Sequence, residues 1–175
     1  MSTFVSGQEF ADFVLGFQHT AFRLEQRDDH YYDPEEDEPF RRFMQGEPAT
    51  VTGWNDEWEK MLRRRTADGQ RMTRVRVVEE PHTDYTLFLL DLARVNVAAG
   101  EDIRYMSRER AKETGLPQED FWLIDSSRVA VMRFGEDNAL AGAVLYDDPA
   151  VVVRHCYYRD VACHVAIPYQ EYAGS

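Results

Sequence analysis

Charged residues alternate with apolar ones in two stretches of this chain, and both stretches carry arginine. Ala21-Phe22-Arg23-Leu24-Glu25 reads as a half-exposed strand. In Thr73-Arg74-Val75-Arg76-Val77-Val78 the two arginines fall on one strand face and the valines on the other. Arg71 is read with Arg74 and Arg76 as a third guanidinium on that face. A guanidinium pairs bidentately with carboxylate or phosphate, so such a stripe is either a solvated surface or the wall of an anion pocket. Arg23, Arg27, Arg74, Arg76 and Tyr85 are the candidate ligand-binding residues, and a small anionic ligand is the partner they imply. Were the same cleft catalytic, Glu25, Glu79 or Asp125 would supply an acid or base, with Glu101 a further carboxylate.

Other constellations carry less. His155-Cys156 and Cys163-His164 offer zinc-compatible atoms, but on one helix adjacent side chains point roughly 100° apart and the four cannot converge. The remaining histidines, His19, His30 and His82, are scattered. The acidic run from Asp28 to Glu38 lacks the glycine and terminal glutamate of a calcium loop and reads as a solvated entry into a helix. No phosphate-binding glycine loop, nucleophile elbow or dinucleotide fingerprint is present. No metal and no cofactor is expected.

The composition bounds the rest. A chain of 175 residues with 43% hydrophobic and 30% charged residues suits a single domain, 1–175, in which 1–70 is mainly helical and 71–175 is an α/β core. The net charge of −12 repels phosphate backbones and argues against direct nucleic-acid binding. No apolar run reaches membrane-spanning length and no signal pattern opens the chain. Cys156 and Cys163 lie about 10 Å apart along a helix, too far for a disulfide. Two buried thiols and a cytoplasmic location are expected.

These side chains need elements to hold them. Ser6-Gly7-Gln8-Glu9 has the form of a capping box, and Phe10, Phe13, Val14 and Phe17 follow at helical spacing. That aromatic face is core, or else the face of a homodimer. A helix beginning at Pro34 or Pro39 buries Phe40 and Phe43 and stops at Gly46. Asn55 is read as the cap of a helix carrying Trp58, Met61 and Leu62, with Trp54 just before it. Thr83 caps a helix through Val95, and Ser107 caps a charged turn. Two apolar strands flank Asp125-Ser126-Ser127, a hairpin. A turn at Gly135 to Asn138 leads to a strand, Ala141 to Tyr146. Asp147-Asp148-Pro149 opens a last helix, which Pro168 ends. The order implies a mixed sheet with flanking helices.

From Arg74 to Phe134 this order resembles half of a phospholipase-D-like domain with an N-terminal helical extension. The resemblance rests on the strand of Thr73 to Val78, on Ala99-Gly-Glu-Asp-Ile-Arg104, and on the hairpin ending Leu-Ile-Asp125. In active members that hairpin begins His-x-Lys, seven and five residues before the Asp that aligns with Asp125. The His is the nucleophile on phosphorus and the Lys helps hold the phosphate. Here those positions are Gln118 and Asp120, so the resemblance implies a scaffold without phosphodiesterase chemistry.

Over nearly the whole length the chain is similar to an actinobacterial family described as a domain of unknown function. Phe22-Arg-Leu-Glu25 with Arg27, Glu36-Asp-Glu-Pro-Phe40, Arg74 to Val78, Ala99 to Arg104, Phe121 to Asp125 and Asp147-Asp-Pro-Ala-Val151 carry that similarity. Cys163 and His164 depart from it, standing where a Trp-containing helix is expected. Members are often encoded beside helix-turn-helix regulators, which makes such a regulator an expected partner. The reading is therefore a non-catalytic ligand- or partner-binding module. The alternative is a pathway-specific transferase or hydrolase using the arginine-lined pocket and a carboxylate.

Overall fold

The computed structural model describes residues 2–29 and 34–174. Its framework is one sheet of eight strands in the order β1-β7-β6-β5-β2-β3-β4-β8. The strands are β1 (Ser2–Val5), β2 (Thr20–Glu25), β3 (Arg71–Val78), β4 (Asp102–Ser107), β5 (Phe121–Ile124), β6 (Arg128–Phe134), β7 (Leu140–Tyr146) and β8 (Ile167–Pro168). The helices are α1 (Gly7–Leu15), α2 (Pro34–Phe43), α3 (Asp56–Ala67), α4 (Asp84–Ala98), α5 (Arg108–Glu113), α6 (Pro149–Val165) and α7 (Tyr169–Tyr172). Strands β2, β3 and β4 run parallel, with α2 and α3 in the first crossover and α4 in the second. Strands β5, β6 and β7 form an antiparallel meander, and β1 closes it antiparallel to β7. So β1 and β2, from the mainly helical first part of the chain, stand in the same sheet as the rest.

Both faces of the sheet are covered, which is why its central strands are nearly continuous in buried residues. Phe22, Leu24, Val75, Val77, Phe121, Leu123, Val129 and Val131 pack under α5 and α6. On the opposite face, Ala21, Met72, Trp122, Ile124, Ala130 and Met132 pack with Val14, Phe17 and Leu62, the last from α3. A separate aromatic cluster gathers Phe40, Phe43, Trp54 and Tyr85 around Phe88, which is fully buried. The aromatic face of α1 thus packs inward: Phe10 and Phe13 lie against the core, with Arg128 5.0 Å over the Phe13 ring.

Several caps form as their residue types dictate. Thr83 accepts the Thr86 N–H, Ser107 that of Arg110, and Asp148 those of Ala150 and Val151. Two do not. Ser6 makes no side-chain cap bond, because Gly7 enters the helix at φ 52 and turns the chain away from capping geometry. Asn55 is already helical in backbone and sends its amide to Asn96 at 2.8 Å, a buried tie between α3 and α4. Pro39 lies inside α2 rather than at its start. Gly100 is required by space: a Cβ there would sit 2.2 Å from Thr66 Oγ1, and its φ is +112. Among the described residues no helix is long and apolar enough to cross a membrane.

Candidate functional site: a closed arginine–carboxylate cluster

Strand register brings the charged residues together. Arg23 lies beside Arg74, Glu25 beside Arg76, and Trp122 beside Arg23 on the other flank of β2. Because β2 is central, Arg23 and Glu25 are covered rather than half exposed: Glu25 is 7% accessible, Arg74 6% and Arg76 5%. Arg71 has the opposite parity and is exposed at the strand's start, so it does not belong to the cluster.

Charges buried this deeply need partners, and each guanidinium has at least one. Arg74 reaches Glu25 at 2.5 Å and Glu101 at 2.7 Å. Arg76 donates to the second Glu25 oxygen at 2.6 Å, to the Leu89 carbonyl at 3.2 Å and to the Tyr105 hydroxyl at 3.1 Å. Arg23 pairs with Glu25 at 3.2 Å and, more loosely, with Asp120 at 3.8 Å. Arg23 and Arg74 also lie 5.3 and 5.7 Å from the centre of the Trp122 ring. The Oε2 atom of Glu101 is buried with no hydrogen-bond partner.

Burial alone would raise the Glu25 carboxyl, but Arg74, Arg23 and Arg76 outweigh it and hold Glu25 well below the usual carboxylate range. A carboxylate so stabilised is a poor proton acceptor near neutral pH. Asp120 behaves in the opposite way. Burial pushes it up to about 6, against the pull of Arg23 and of the Gln26 and Arg27 backbone N–H groups. Those two N–H groups donate to its Oδ1 at 2.8 and 3.3 Å.

Above the cluster is a cavity of about 410 Å³, in the size range of small-molecule sites. Arg23, Arg74, Arg76 and Glu25 line one side, Trp54, Trp58 and Tyr85 are among its aromatic walls, and Glu35, Glu36 and Glu57 also face it. Tyr85 donates to Glu36 at 3.0 Å. Four of the five sequence-predicted ligand residues therefore meet at one cavity. Arg27 does not: it stacks 4.3 Å over Phe134 and pairs with Asp29 at 3.6 Å.

Of the carboxylates considered for catalysis, only Glu25 lies at this cavity. Glu79 is exposed and paired with Arg108 at 2.6 Å. Asp125 accepts the backbone N–H groups of Gln18, His19 and Thr20 at 2.9, 2.7 and 2.9 Å, which fixes the entry to β2. Those bonds overcome its desolvation and lower its pKa. Trp54, Trp58, Glu57 and Asn96 escaped sequence reasoning, because helical periodicity marks them as core without saying that a cavity opens beside them.

The late cysteines are both free and half-buried, and burial raises Cys163 to about 11, which leaves an unreactive thiol. Among the described residues no group of three or more His, Cys, Asp or Glu side chains is placed to hold a metal. His30 and Asp33 of the acidic region lie outside the described residues.

No curated protein matches the chain. Among solved structures, NucT from Helicobacter pylori is similar over 96% of this chain and 97% of that one, with 10% sequence identity and a TM-score of 0.52. At that identity the likeness speaks for the fold, a mixed α/β fold of the phospholipase-D-like kind. Residues 8–174 match a single family profile, and the chain belongs to the family Domain of unknown function (DUF6879).

Proposed function

We propose that this protein is a ligand-binding module without phosphodiesterase activity, and that it binds a small polar molecule in the cavity above the arginine cluster. The observation that carries the reading is the charge pairing of the cluster. Asp120, at the position aligned with the phosphate-holding Lys, faces Arg23 rather than open solvent, and Gln118 stands for the nucleophilic His. Arg23, Arg74 and Arg76 are matched by Glu25, Glu101 and Asp120.

This pairing narrows the ligand class expected from sequence. The cavity presents three guanidinium groups and four carboxylates, so its lining does not favour a bare anion. A zwitterion of amino-acid type fits better, its carboxylate toward the arginines, its ammonium toward Glu57, and any apolar part between Trp54 and Trp58. Calorimetry against free amino acids, matched monoanions and a chromogenic phosphodiester tests this. Saturable binding of a zwitterion without turnover is expected. Preferential binding of ringless monoanions, or hydrolysis of the diester, would overturn it.

The family resemblance adds a cytoplasmic regulatory role beside a helix-turn-helix protein. Co-expression with a regulator encoded next to this chain, followed by size exclusion, tests that role, and separate elution counts against it.

A further inference from the structure

A second group of basic side chains lies on the other face of the sheet. Side chains alternate along β5 and the residues leading into it, so Asp120 and Trp122 face the arginine cluster while Phe121 faces α6. Between α6 and the β5–β6–β7 meander is a second cavity of about 290 Å³. Phe121, Tyr146, Tyr158 and the neutral ring of His155 give it aromatic walls, and Arg133 and Arg154 give it a basic side.

These cations differ from those of the first cluster. Arg154 is exposed and has no ion pair or hydrogen bond among the described residues. Among the described residues Arg133 bonds only its neighbouring Met132 carbonyl, at 3.2 Å. His155 directs Nδ1 to the Val151 carbonyl at 2.8 Å, which places the proton there, and burial lowers its pKa, so Nε2 of the neutral ring is an acceptor and takes no part in holding an oxyanion. The imidazole stands edge-on to Phe121, with ring centres 4.7 Å apart, and to Tyr158 at 5.5 Å. Glu119 is the one acid in the lining. Two guanidinium groups without ion pairs among the described residues thus stand beside an aromatic slot.

We propose that this second cavity binds a small single-ring aromatic oxyanion, a carboxylate or a phosphate ester. The ring enters between Tyr146 and Tyr158, and the oxyanion meets the Arg133 and Arg154 guanidinium groups. Guanidinium forks match either oxyanion bidentately, and the volume lies at the small end of ligand cavities, enough for one ring and its substituent. The site is independent of the one above the arginine cluster.

The test is calorimetry on the full chain with benzoate and phenyl phosphate as probes. Methyl benzoate serves as the uncharged control and acetate as the ringless one. Saturable binding of at least one aromatic oxyanion is expected, and the ratio of the two affinities tells carboxylate from phosphate. Arg154→Ala, at an exposed helix position, keeps the fold and should weaken binding by at least about tenfold, as loss of a charged hydrogen bond implies. Arg133→Ala should do the same, whereas Trp58→Ala in the other cavity should leave the affinity unchanged. No saturation up to about 10 mM, a range that covers even millimolar sites, would overturn the proposal. So would equal binding of methyl benzoate or acetate, wild-type affinity in folded Arg154→Ala, or loss of binding in folded Trp58→Ala.

Discussion

Glu25 touches all three arginines. Replacing it with Gln keeps the shape but removes the carboxylate that Arg23, Arg74 and Arg76 share. Removing one partner of a buried ion pair costs about 3–5 kcal/mol, so Glu25→Gln is expected to lose that much in urea unfolding. A loss below about 1 kcal/mol would mean that the cluster is hydrated like a surface pair. Asp120 makes a pH prediction. Its folded pKa is raised from 3.8 to about 6, so the folded state binds more protons than the unfolded state between those values. Through this group, stability falls as pH rises from about 4 to 6. Glu25 works the other way, its lowered pKa giving stability that is lost as pH falls below the unfolded carboxyl range. The comparison with Asp120→Asn isolates the first effect: wild type should lose stability relative to the variant between pH 4 and pH 7. A difference independent of pH would show that Asp120 titrates normally.

At the scale of elements, the β5–β6 hairpin fixes the strand beside it. Asp125 turns the chain at φ 52 and its carboxylate gathers three successive N–H groups at the start of β2. Asp125→Ala should cost about 1–3 kcal/mol by leaving those donors unpaired, and Asp125→Asn less, in thermal unfolding. The hairpin was legible in sequence because apolar runs on both sides of Asp-Ser-Ser have no other good local solution. The strand of Arg74 and Arg76 was legible by parity, which also shows why Arg71 does not join them. The burial of Arg23 and Glu25 was not legible. Alternation says which residues share a face, but a face is solvated or covered according to helices far away in sequence, here α3 and α4. The cavity walls from Trp54 and Trp58 were hidden for the same reason. The α1 cap failed because Gly7 adopts a left-handed backbone that a sequence pattern does not announce.

For the molecule as a whole, two helical layers on a central sheet create two chemically distinct cavities. The first has matched charge and walls of Trp and Tyr; the second has free guanidinium groups beside Tyr and Phe. Residues leading into and along β5 face both sides of the sheet: Glu119 and Phe121 line the second cavity, while Asp120 pairs with Arg23 of the first cluster. The placement of Asp120 also governs which side chains its position accepts. Placing His at 118 and Lys at 120 would set a cation beside Arg23 and against the Gln26 and Arg27 N–H groups that now meet a carboxylate. The doubly substituted protein is expected to melt well below wild type and to hydrolyse no phosphodiester. The Lys at 120 would be tolerated only after Arg23 and its neighbours had changed, a coupling that double-mutant cycles can measure. The charge cluster acts as a lock on that position: a cation enters only where its neighbours have already given up their own charge.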